Sequence, residues 1–455
     1  MALSSADGTI TFTPLLGVGE HDPLAYLLDI DGFRILLDCG WSTDFDPQEI
    51  EPLTKCVRDL TPTTLCCVFF IPLFFALKDY FNFLPPVGLF PRNLLNVSLF
   101  LHPIPPHSLP TTRVIGQVDV VLLTHADVAH LGALPLLRRL GLTCPVYATV
   151  PVWRMGQLVL LDALHARTAA YRFDAFSAAD VAAAFAGVHT LKYTQEVALT
   201  GRGAGITIVP EVAGHAVGGA FWRVTKGSED VVYAVDFNHS GEQHLNPSDL
   251  QLVSTRARPT LLITNALNAT VELPKRVDRR AQFQSLIVSA LAAGGNVLLP
   301  TDAAGRVLEL LSMLNAHWDQ HKLHDTYPLV LLSHTGASML DNIQSMTEWC
   351  SEAVTLHFNT KGTNAFAFRR LRVCTSLAQL DALIATHAEQ SLLLSDKPRP
   401  MVVLAPAHDL TVSMGLELAQ RCADSDIWKC WTFICISLCL AVVARFGILS
   451  FTLSS

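Results

Sequence analysis

The chain has 455 residues, a formal net charge of −8, a hydrophobic fraction of 50% and a charged fraction of only 16%. This length allows two or three domains with sizeable cores, and the negative balance excludes a chain-wide basic surface for nucleic acid. Eleven cysteines occur without a C-x-x-C pair, which favours reduced thiols over a disulfide framework. The N-terminus lacks the pattern of a signal peptide, so the sequence predicts a cytosolic or nuclear protein.

Residues 8–38 are predicted to form a β meander. Its clearest part is a hairpin, in which strands at 26–30 and 33–37 flank Asp31–Gly32, a pair that tolerates the positive φ angles of a two-residue turn. The second strand ends at Asp38, and a helix is predicted to begin at Gln48. Taken locally, Asp38 is either a turn residue at the end of a strand or part of a site.

Residues 57–112 break this pattern. They contain an uncharged run from Thr61 to Leu77, then several prolines, and they follow neither a strand period nor a helix period. A membrane span needs about 20 apolar residues, so the run is too short to predict one. We interpret the segment as an insertion that loops out of its domain, and more readily as retained non-coding sequence than as a membrane hairpin.

The most informative stretch follows the buried strand predicted at 118–123. It reads THADVAHLGALP and places His125, Asp127 and His130 at the end of that strand. Imidazole nitrogens and carboxylate oxygens that converge on a loop can hold a metal ion without burying an unpaired charge. A polar loop without metal remains the alternative at this point.

The chain then alternates between strands and helices, which indicates a layered α/β domain. The predicted elements are a helix at 134–140, a strand at 145–149, a helix beginning at 151, a helix at 178–186 capped by Ser177, and strands at 206–210 and 231–235. The last two strands lead to His215, in a glycine-rich loop, and to Asp236. A lone histidine in such a loop is usually structural, but the order of these residues along the chain favours a shared site.

THADVAHLGALP resembles the signature loop of the metallo-β-lactamase family, T-H-x-H-x-D-H-x-G-x-L-P, whose four ligands serve two zinc ions. His125 and His130 match the outer histidines, whereas Asp127 replaces the second histidine and Ala129 the aspartate. The resemblance implies an incomplete αββα sandwich. It also implies that Asp38 orients the metal loop, that His215 is a zinc ligand and that Asp236 bridges the two ions.

The following sequence resembles the β-CASP α/β domain that metallo-β-lactamase enzymes acting on nucleic acids carry as an insertion. An acidic residue introduces that domain in the enzymes, and this chain has Asn265 there, whose amide cannot act as a general base. The resemblance implies a metallo-β-lactamase-like domain at 1–56 and 113–264 and a β-CASP domain at 265–426. Residues 427–455 are interpreted as an aberrant apolar tail, and their uncharged core at 430–444 is short for a membrane anchor.

The changes at Asp127, Ala129 and Asn265 predict a noncatalytic scaffold with at most one weakly held zinc. The stretches PVWRMGQ, YAVDFNHS and LLITNALNAT resemble the noncatalytic branch of this family. That resemblance implies a place in the nuclear cleavage and polyadenylation specificity factor, with no membrane association. The expected partners are the endonuclease subunit, other subunits of that complex and pre-mRNA. One alternative is a zinc-dependent hydrolase that uses His125, Asp127, His215 and Asp236. A membrane-anchored protein is a third reading.

A local basic cluster comprises Lys275, Arg276, Arg279 and Arg280. It is predicted either to contact RNA phosphates or to be simply solvated, as most surface charge runs are. In the resembling family, the chain beyond β-CASP completes the first domain and pairs with the endonuclease. Because residues 427–455 stand in its place, weak assembly with that subunit is also expected.

Overall fold

The computed structural model describes residues 2–5, 8–17, 23–54, 118–170, 172–250, 259–265, 275–394, 400–406, 418 and 431–433. The predicted insertion at 57–112 lies outside these residues, and so does the tail at 427–455 apart from 431–433. The sequence also predicts a last helix at 411–421, which lies outside the described residues except for residue 418. The described residues form three sheets with helices packed against them.

The first sheet has seven strands, and their order across the sheet is the same as their order along the chain. They are β1 (Ala2–Ser5), β2 (Gly8–Leu16), β3 (Ala25–Ile30), β4 (Phe33–Leu37), β5 (Val120–Leu122), β6 (Val146–Thr149) and β7 (Val188–Leu191). Pairing is antiparallel from β1 to β4 and parallel from β4 to β7. Asp31 and Gly32 have φ angles of 52° and 83°, which confirms the predicted hairpin turn.

Helices cover one face of this sheet. They are α1 (Glu51–Thr54), α2 (Val128–Leu131), α3 (Leu134–Arg139), α4 (Val150–Ala170) and α5 (Ala178–Ala186). The predicted cap of α5 is confirmed, because Ser177 accepts a hydrogen bond from the Asp180 backbone while the Asp180 side chain bonds the Ser177 backbone. A short 3-10 turn, Gly201–Gly203, lies between the first two strands of the second sheet.

The second sheet faces the opposite side of the first across a shared core. It contains β8 (Val197–Ala198), β9 (Ile206–Val212), β10 (Ala220–Lys226), β11 (Glu229–Ala234) and β12 (Leu261–Thr264), in the order β12-β11-β10-β9-β8. Leu28 and Leu122 of the first sheet pack with Trp222 and Tyr233 of the second. This stacking is the sandwich that the sequence predicts, and it brings the ends of β4, β5 and β11 together.

The third sheet is wholly parallel, with the order β15-β14-β16-β13-β17. Its strands are β13 (Asn296–Thr301), β14 (Leu329–Leu332), β15 (Arg372–Cys374), β16 (Val402–Pro406) and β17 (Trp431–Phe433). Its helices are α6 (Arg276–Ala292), α7 (Arg306–His321), α8 (Gly336–Gln344), α9 (Glu352–Lys361) and α10 (Leu377–Leu394), with a 3-10 turn at Thr347–Trp349. Strand β17 lies beyond the predicted domain boundary at 426, yet it pairs with β13.

The sandwich and the third-sheet unit share one hydrophobic cluster, which includes Leu160 of α4 and Ile343 of α8. Polar contacts cross the same boundary: the buried carboxylate of Asp162 accepts a 3.0 Å hydrogen bond from the Ser333 hydroxyl. Burial raises the pKa of Asp162, partly offset by that bond. Among the described residues, no helix combines the length and apolar character needed to cross a membrane.

Candidate metal site

Asp38 anchors the candidate site from the end of β4. It is fully buried and has a positive φ of 57°. Its carboxylate accepts hydrogen bonds from the backbone N–H and the hydroxyl of Thr124, both at 2.8 Å, and from the Tyr233 hydroxyl at 2.7 Å. Burial raises the pKa of Asp38 to about 6, although His130 and these hydrogen bonds act against the shift. Asp38 thus holds the first residue of the THADVAHLGALP loop, as the resemblance implies.

The backbone of that loop is tied closely to the chain after β4. The Leu24 N–H donates to the Ala129 carbonyl at 2.8 Å, and the Cys39 N–H donates to the His130 carbonyl at 2.8 Å. Gly40 fits only because it has no side chain, since a Cβ there would lie 1.7 Å from the Ala129 carbonyl oxygen. Ala129 therefore sits in a fixed backbone position, where its methyl group supplies no donor atom to a metal.

His125 and His130 lie side by side in the interior, with their ring centroids 4.8 Å apart and exposed fractions of 0% and 1%. His125 Nδ1 lies 3.0 Å from the Thr124 hydroxyl. The Nε2 atoms of both rings are buried and have no hydrogen-bond partner. Burial, reinforced by His130 and His215, lowers the pKa of His125 to about 3.

The Asp127 side chain forms its hydrogen bonds within the THADVAHLGALP loop. It is the N-cap of α2, where its Oδ1 accepts from the His130 backbone N–H at 3.1 Å, and the same oxygen lies 2.6 Å from His130 Nδ1. Burial opposes ionisation of Asp127, but His130 outweighs it and holds the pKa of Asp127 well below its usual range. Burial likewise opposes protonation of His130, but Asp127, Asp38 and Asp236 together raise the pKa of His130 to about 10.

The remaining predicted positions complete the pocket from the second sheet. His215 is exposed, and its ring centroid is 5.5 Å from that of His125. Asp236 has a φ of 45° and places Oδ2 3.4 Å from His130 Nε2. The Asn265 amide donates to the other Asp236 oxygen, at 2.5 Å. Burial would raise the pKa of Asp236, but the three histidines, His130 first, lower it below the usual value.

This donor set does not fit the two zinc ions that the family motif implies. Ala129 provides no ligand atom, the Asp127 carboxylate is bonded to His130, and one oxygen of Asp236 is bonded to Asn265. The buried Nε2 of His125, which has no hydrogen-bond partner, is the feature that still suits a cation, whereas His130 Nε2 lies 3.4 Å from Asp236 Oδ2. What remains could coordinate one ion through His125, His215 and Asp236, and such an ion would supply an activated water.

The basic cluster predicted to touch RNA is divided by the fold. Arg276 lies 3.0 Å from Glu309 and also donates to the Gly241 carbonyl, so its guanidinium belongs to an internal network. Arg279 has a buried Nε without a partner, and burial, followed by the nearby Arg306, lowers its pKa. Within the described residues, the exposed Lys275 and the half-buried Arg280 make no side-chain ion pair or hydrogen bond. The RNA contact of these four residues stays a prediction, in which Arg276 would have to bind phosphate while paired with Glu309.

Sequence reasoning missed a second buried group at the junction of the two units. Glu242, His244 and Glu309 each bring a possible ligand atom within 4.8 Å of the others. His244 Nδ1 lies 2.6 Å from Glu309, whereas Glu242 pairs with Arg306 at 2.6 Å. No spacing rule joins residues that stand 65 positions apart, so the sequence carried no signal for this network.

The charges of this network are balanced internally. Burial would raise the pKa of Glu309, but the hydrogen bond and charge of His244, with help from the Gln243 backbone and Arg276, lower it to about 2. Burial would lower the pKa of Arg306, but Glu242 raises it. Because each carboxylate already pairs with an arginine, the geometry fits a structural network better than a metal site.

Comparison with known proteins agrees with this architecture. Residues 104–263 match the model of the metallo-beta-lactamase superfamily domain, and residues 307–426 match that of the Beta-Casp domain. The chain is 36% identical to subunit 2 of the cleavage and polyadenylation specificity factor of Arabidopsis thaliana. That alignment covers 91% of this chain and 46% of the Arabidopsis protein. The protein of the same name in Oryza sativa subsp. japonica is 38% identical over 90% of this chain and 46% of its own length.

A more distant relative is an endoribonuclease of Yarrowia lipolytica, 24% identical over 59% of this chain and 32% of that protein. The chain spans about half the length of the first two relatives. Both domain types occur in the predicted order, and the close relatives align along nearly all of the chain. The chain belongs to the metallo-β-lactamase/β-CASP family.

Proposed function

We propose that this chain is a noncatalytic subunit of the nuclear machinery that cleaves and polyadenylates the 3′ ends of pre-mRNA. The names of its relatives in Arabidopsis thaliana and Oryza sativa support the process. Its partners in that role are the endonuclease subunit and other subunits of the cleavage and polyadenylation specificity factor, with pre-mRNA reached through the complex. The acidic net charge of −8 favours this indirect contact with RNA.

The observation that carries the noncatalytic assignment is the engagement of Asp127 by His130. Hydrolysis by two metal ions needs both ions about 3.5–4 Å apart, so that one activates water and the other steadies the leaving oxygen. Ala129 removes one ligand, and Asp127 is already bonded to His130 Nδ1 at 2.6 Å. The Asn265 amide cannot replace an acidic residue in proton transfer.

A zinc-dependent ribonuclease is the second candidate. The buried Nε2 of His125 favours it, since a buried ring nitrogen without a hydrogen-bond partner commonly belongs to a metal or substrate site. The similarity to the Yarrowia lipolytica endoribonuclease also supports it. A site with one ion would lack the second charge that stabilises the leaving oxygen.

A cleavage assay with the purified chain and a labelled single-stranded RNA from a pre-mRNA 3′ end distinguishes the two candidates. With zinc in excess, we expect product formation no faster than with the matched His215→Ala variant. Zinc-dependent cleavage that is lost in His215→Ala would overturn the noncatalytic assignment. Co-purification with the endonuclease subunit from cells tests the proposed complex separately.

A further inference from the structure

A groove lies along the seam between the sandwich and the third-sheet unit. Its volume is about 630 Å³, within the range of roughly 300–1,000 Å³ that is usual for ligand pockets. One wall is the first half of α6, where Val277, Ala281 and Gln284 recur at helical spacing on one face. Ala353 of α9 and the loop residues Glu242 and Gln243 form the rest of the groove.

The junction network holds this groove in shape. Glu242 is tied to Arg306 at 2.6 Å, and the Gln243 N–H donates to Glu309 at 3.1 Å. The Ser351 N–H, just before α9, donates to the His244 carbonyl at 2.8 Å. A preformed groove spends little free energy on ordering when a ligand binds. The shape is thus compatible with docking by a partner.

The rim combines an exposed apolar side chain with unpaired positive charge. Val277 is 77% exposed although it stands beside the aliphatic Ala281 and Ala353. Lys275 and Arg280 make no side-chain ion pair within the described part of the chain. The N-terminus of α6 has no side-chain cap, and the helix dipole adds positive potential there. The groove therefore complements a ligand with an apolar group next to a negative one.

The lining favours a protein ligand over RNA. Single-stranded RNA is usually held by bases stacked on aromatic rings, and no aromatic side chain lines this groove among the described residues. Arg276 is occupied by Glu309, so among the described lining residues Arg280 would be the one unpaired cation for the successive phosphates of an RNA strand. Aliphatic side chains beside a free arginine instead suit a peptide with an aliphatic residue and a carboxylate.

We propose that this groove docks a segment of a partner protein, which inserts an aliphatic side chain between Val277, Ala281 and Ala353 and places a carboxylate on Arg280. Such a segment would lie on α6 and α9 of the third-sheet unit, beside the loop that carries Glu242 and Gln243. This interaction goes beyond the proposed function, and it does not depend on whether the pocket around His125 holds a metal.

The test uses the full chain carrying the photo-crosslinking residue p-benzoylphenylalanine at Val277, expressed in cells. The matched control carries it at Phe358, which is 50% exposed on α9 but does not line the groove. We expect a protein adduct at Val277 only, mapped by mass spectrometry to a site within about four residues of an Asp or Glu, one helical turn. An RNA adduct, equal capture at both positions, a site without a nearby acidic residue, or no adduct would overturn the proposal.

A charge reversal tests the role of Arg280 within the same experiment. Arg280→Glu should lower the yield of the Val277 adduct at least about fivefold, because it replaces attraction with like-charge repulsion. Arg370→Glu makes the same charge change on an exposed side chain of the same unit and should leave the yield unchanged. Equal yields from both variants would overturn the assigned contact, and thermal unfolding of each variant verifies that it is folded.

Discussion

The candidate metal pocket and the junction network both bring histidines and carboxylates together, yet they balance their charge in different ways. In the network, arginines pair with Glu242 and Glu309. In the pocket, no arginine or lysine of the described chain bonds to Asp38, Asp127 or Asp236, and their neighbours are histidines, an amide and hydroxyl groups.

The difference lies in the source of positive charge. Buried carboxylates that pair with fixed cations need nothing from outside the protein. Both groups contain a buried ring nitrogen without a hydrogen-bond partner, for example His125 Nε2 in the pocket and His244 Nε2 in the network. The lack of arginine or lysine partners is therefore what makes the pocket the place where an added cation would balance carboxylate charge. Four measurements break or sharpen this comparison.

We expect the largest change in the free energy of unfolding from the substitution Asp38→Ala, in the candidate metal pocket. Three donors on Thr124 and Tyr233 would lose their acceptor in a fully buried place. We expect the free energy of unfolding to fall by about 4 kcal/mol, since each buried unsatisfied group costs about 1–3 kcal/mol. Urea unfolding measures the change. Asp38→Asn, which tolerates the positive φ and keeps an acceptor, should lose about half as much; a loss under about 1 kcal/mol for Asp38→Ala would contradict the anchoring role.

We expect the second largest loss of stability from the substitution Glu309→Gln, in the junction network. Removing one charge leaves His244 and Arg276 without their carboxylate, and we expect a loss on the order of 3 kcal/mol at neutral pH. The folded pKa of Glu309 is about 2, below the ordinary 4.5, so its stabilisation is present above pH 4.5 and disappears as the pH falls toward 2.

The measurement is therefore urea unfolding of the natural chain and the variant at several pH values. The gap between them should narrow as the pH falls below 4.5. Glu352→Gln is the matched control, because Glu352 is exposed and its substitution should change stability little at any pH. If the difference in free energy of unfolding between the two chains stays constant with pH, the negative charge of Glu309 does not stabilise the network.

Zinc should have a smaller effect. One weakly held ion would raise the free energy of unfolding by about 1 kcal/mol or less at modest excess of zinc, and His125→Ala should abolish the change.

Metal analysis should find no more than one zinc per chain in the pocket. The combined substitutions Ala129→Asp and Asp127→His should raise the stoichiometry, because they supply the two missing ligands. Two tightly bound ions in the natural chain would refute the description of this pocket.

We expect the smallest change in stability from an exposed ion pair. Such a pair has the same charges as the junction pairs but is not buried, so it shows how much the charges contribute without burial. Arg172 and Asp174 lie 3.0 Å apart with side-chain exposures of 89% and 73%. Arg172→Ala should change stability by less than about 0.5 kcal/mol, as is typical of surface ion pairs. A loss comparable to that of Glu309→Gln would show that burial does not explain the strength of the junction.

The sequence by itself determined the local structure and the order of the site residues. The hairpin at Asp31–Gly32 and the cap at Ser177 follow from backbone preferences of a few adjacent residues. The buried strand Val120–Leu122, predicted at 118–123, follows from its apolar run. These features depend on neighbours in the chain, so they can be predicted without knowing the fold. The resemblance then placed Asp38, His125, His215 and Asp236 around one pocket, where the structure also has them.

Only the tertiary structure decided which partners the charged groups take. Asp127 looked like a substitute ligand but faces His130, and Arg276 looked like an RNA contact but pairs with Glu309. The meeting of His244 with Glu309 joins two separate units and left no mark on sequence spacing. The physical reason is that a side chain's charge is balanced by whichever groups packing brings within a few ångströms, and these come from distant parts of the chain.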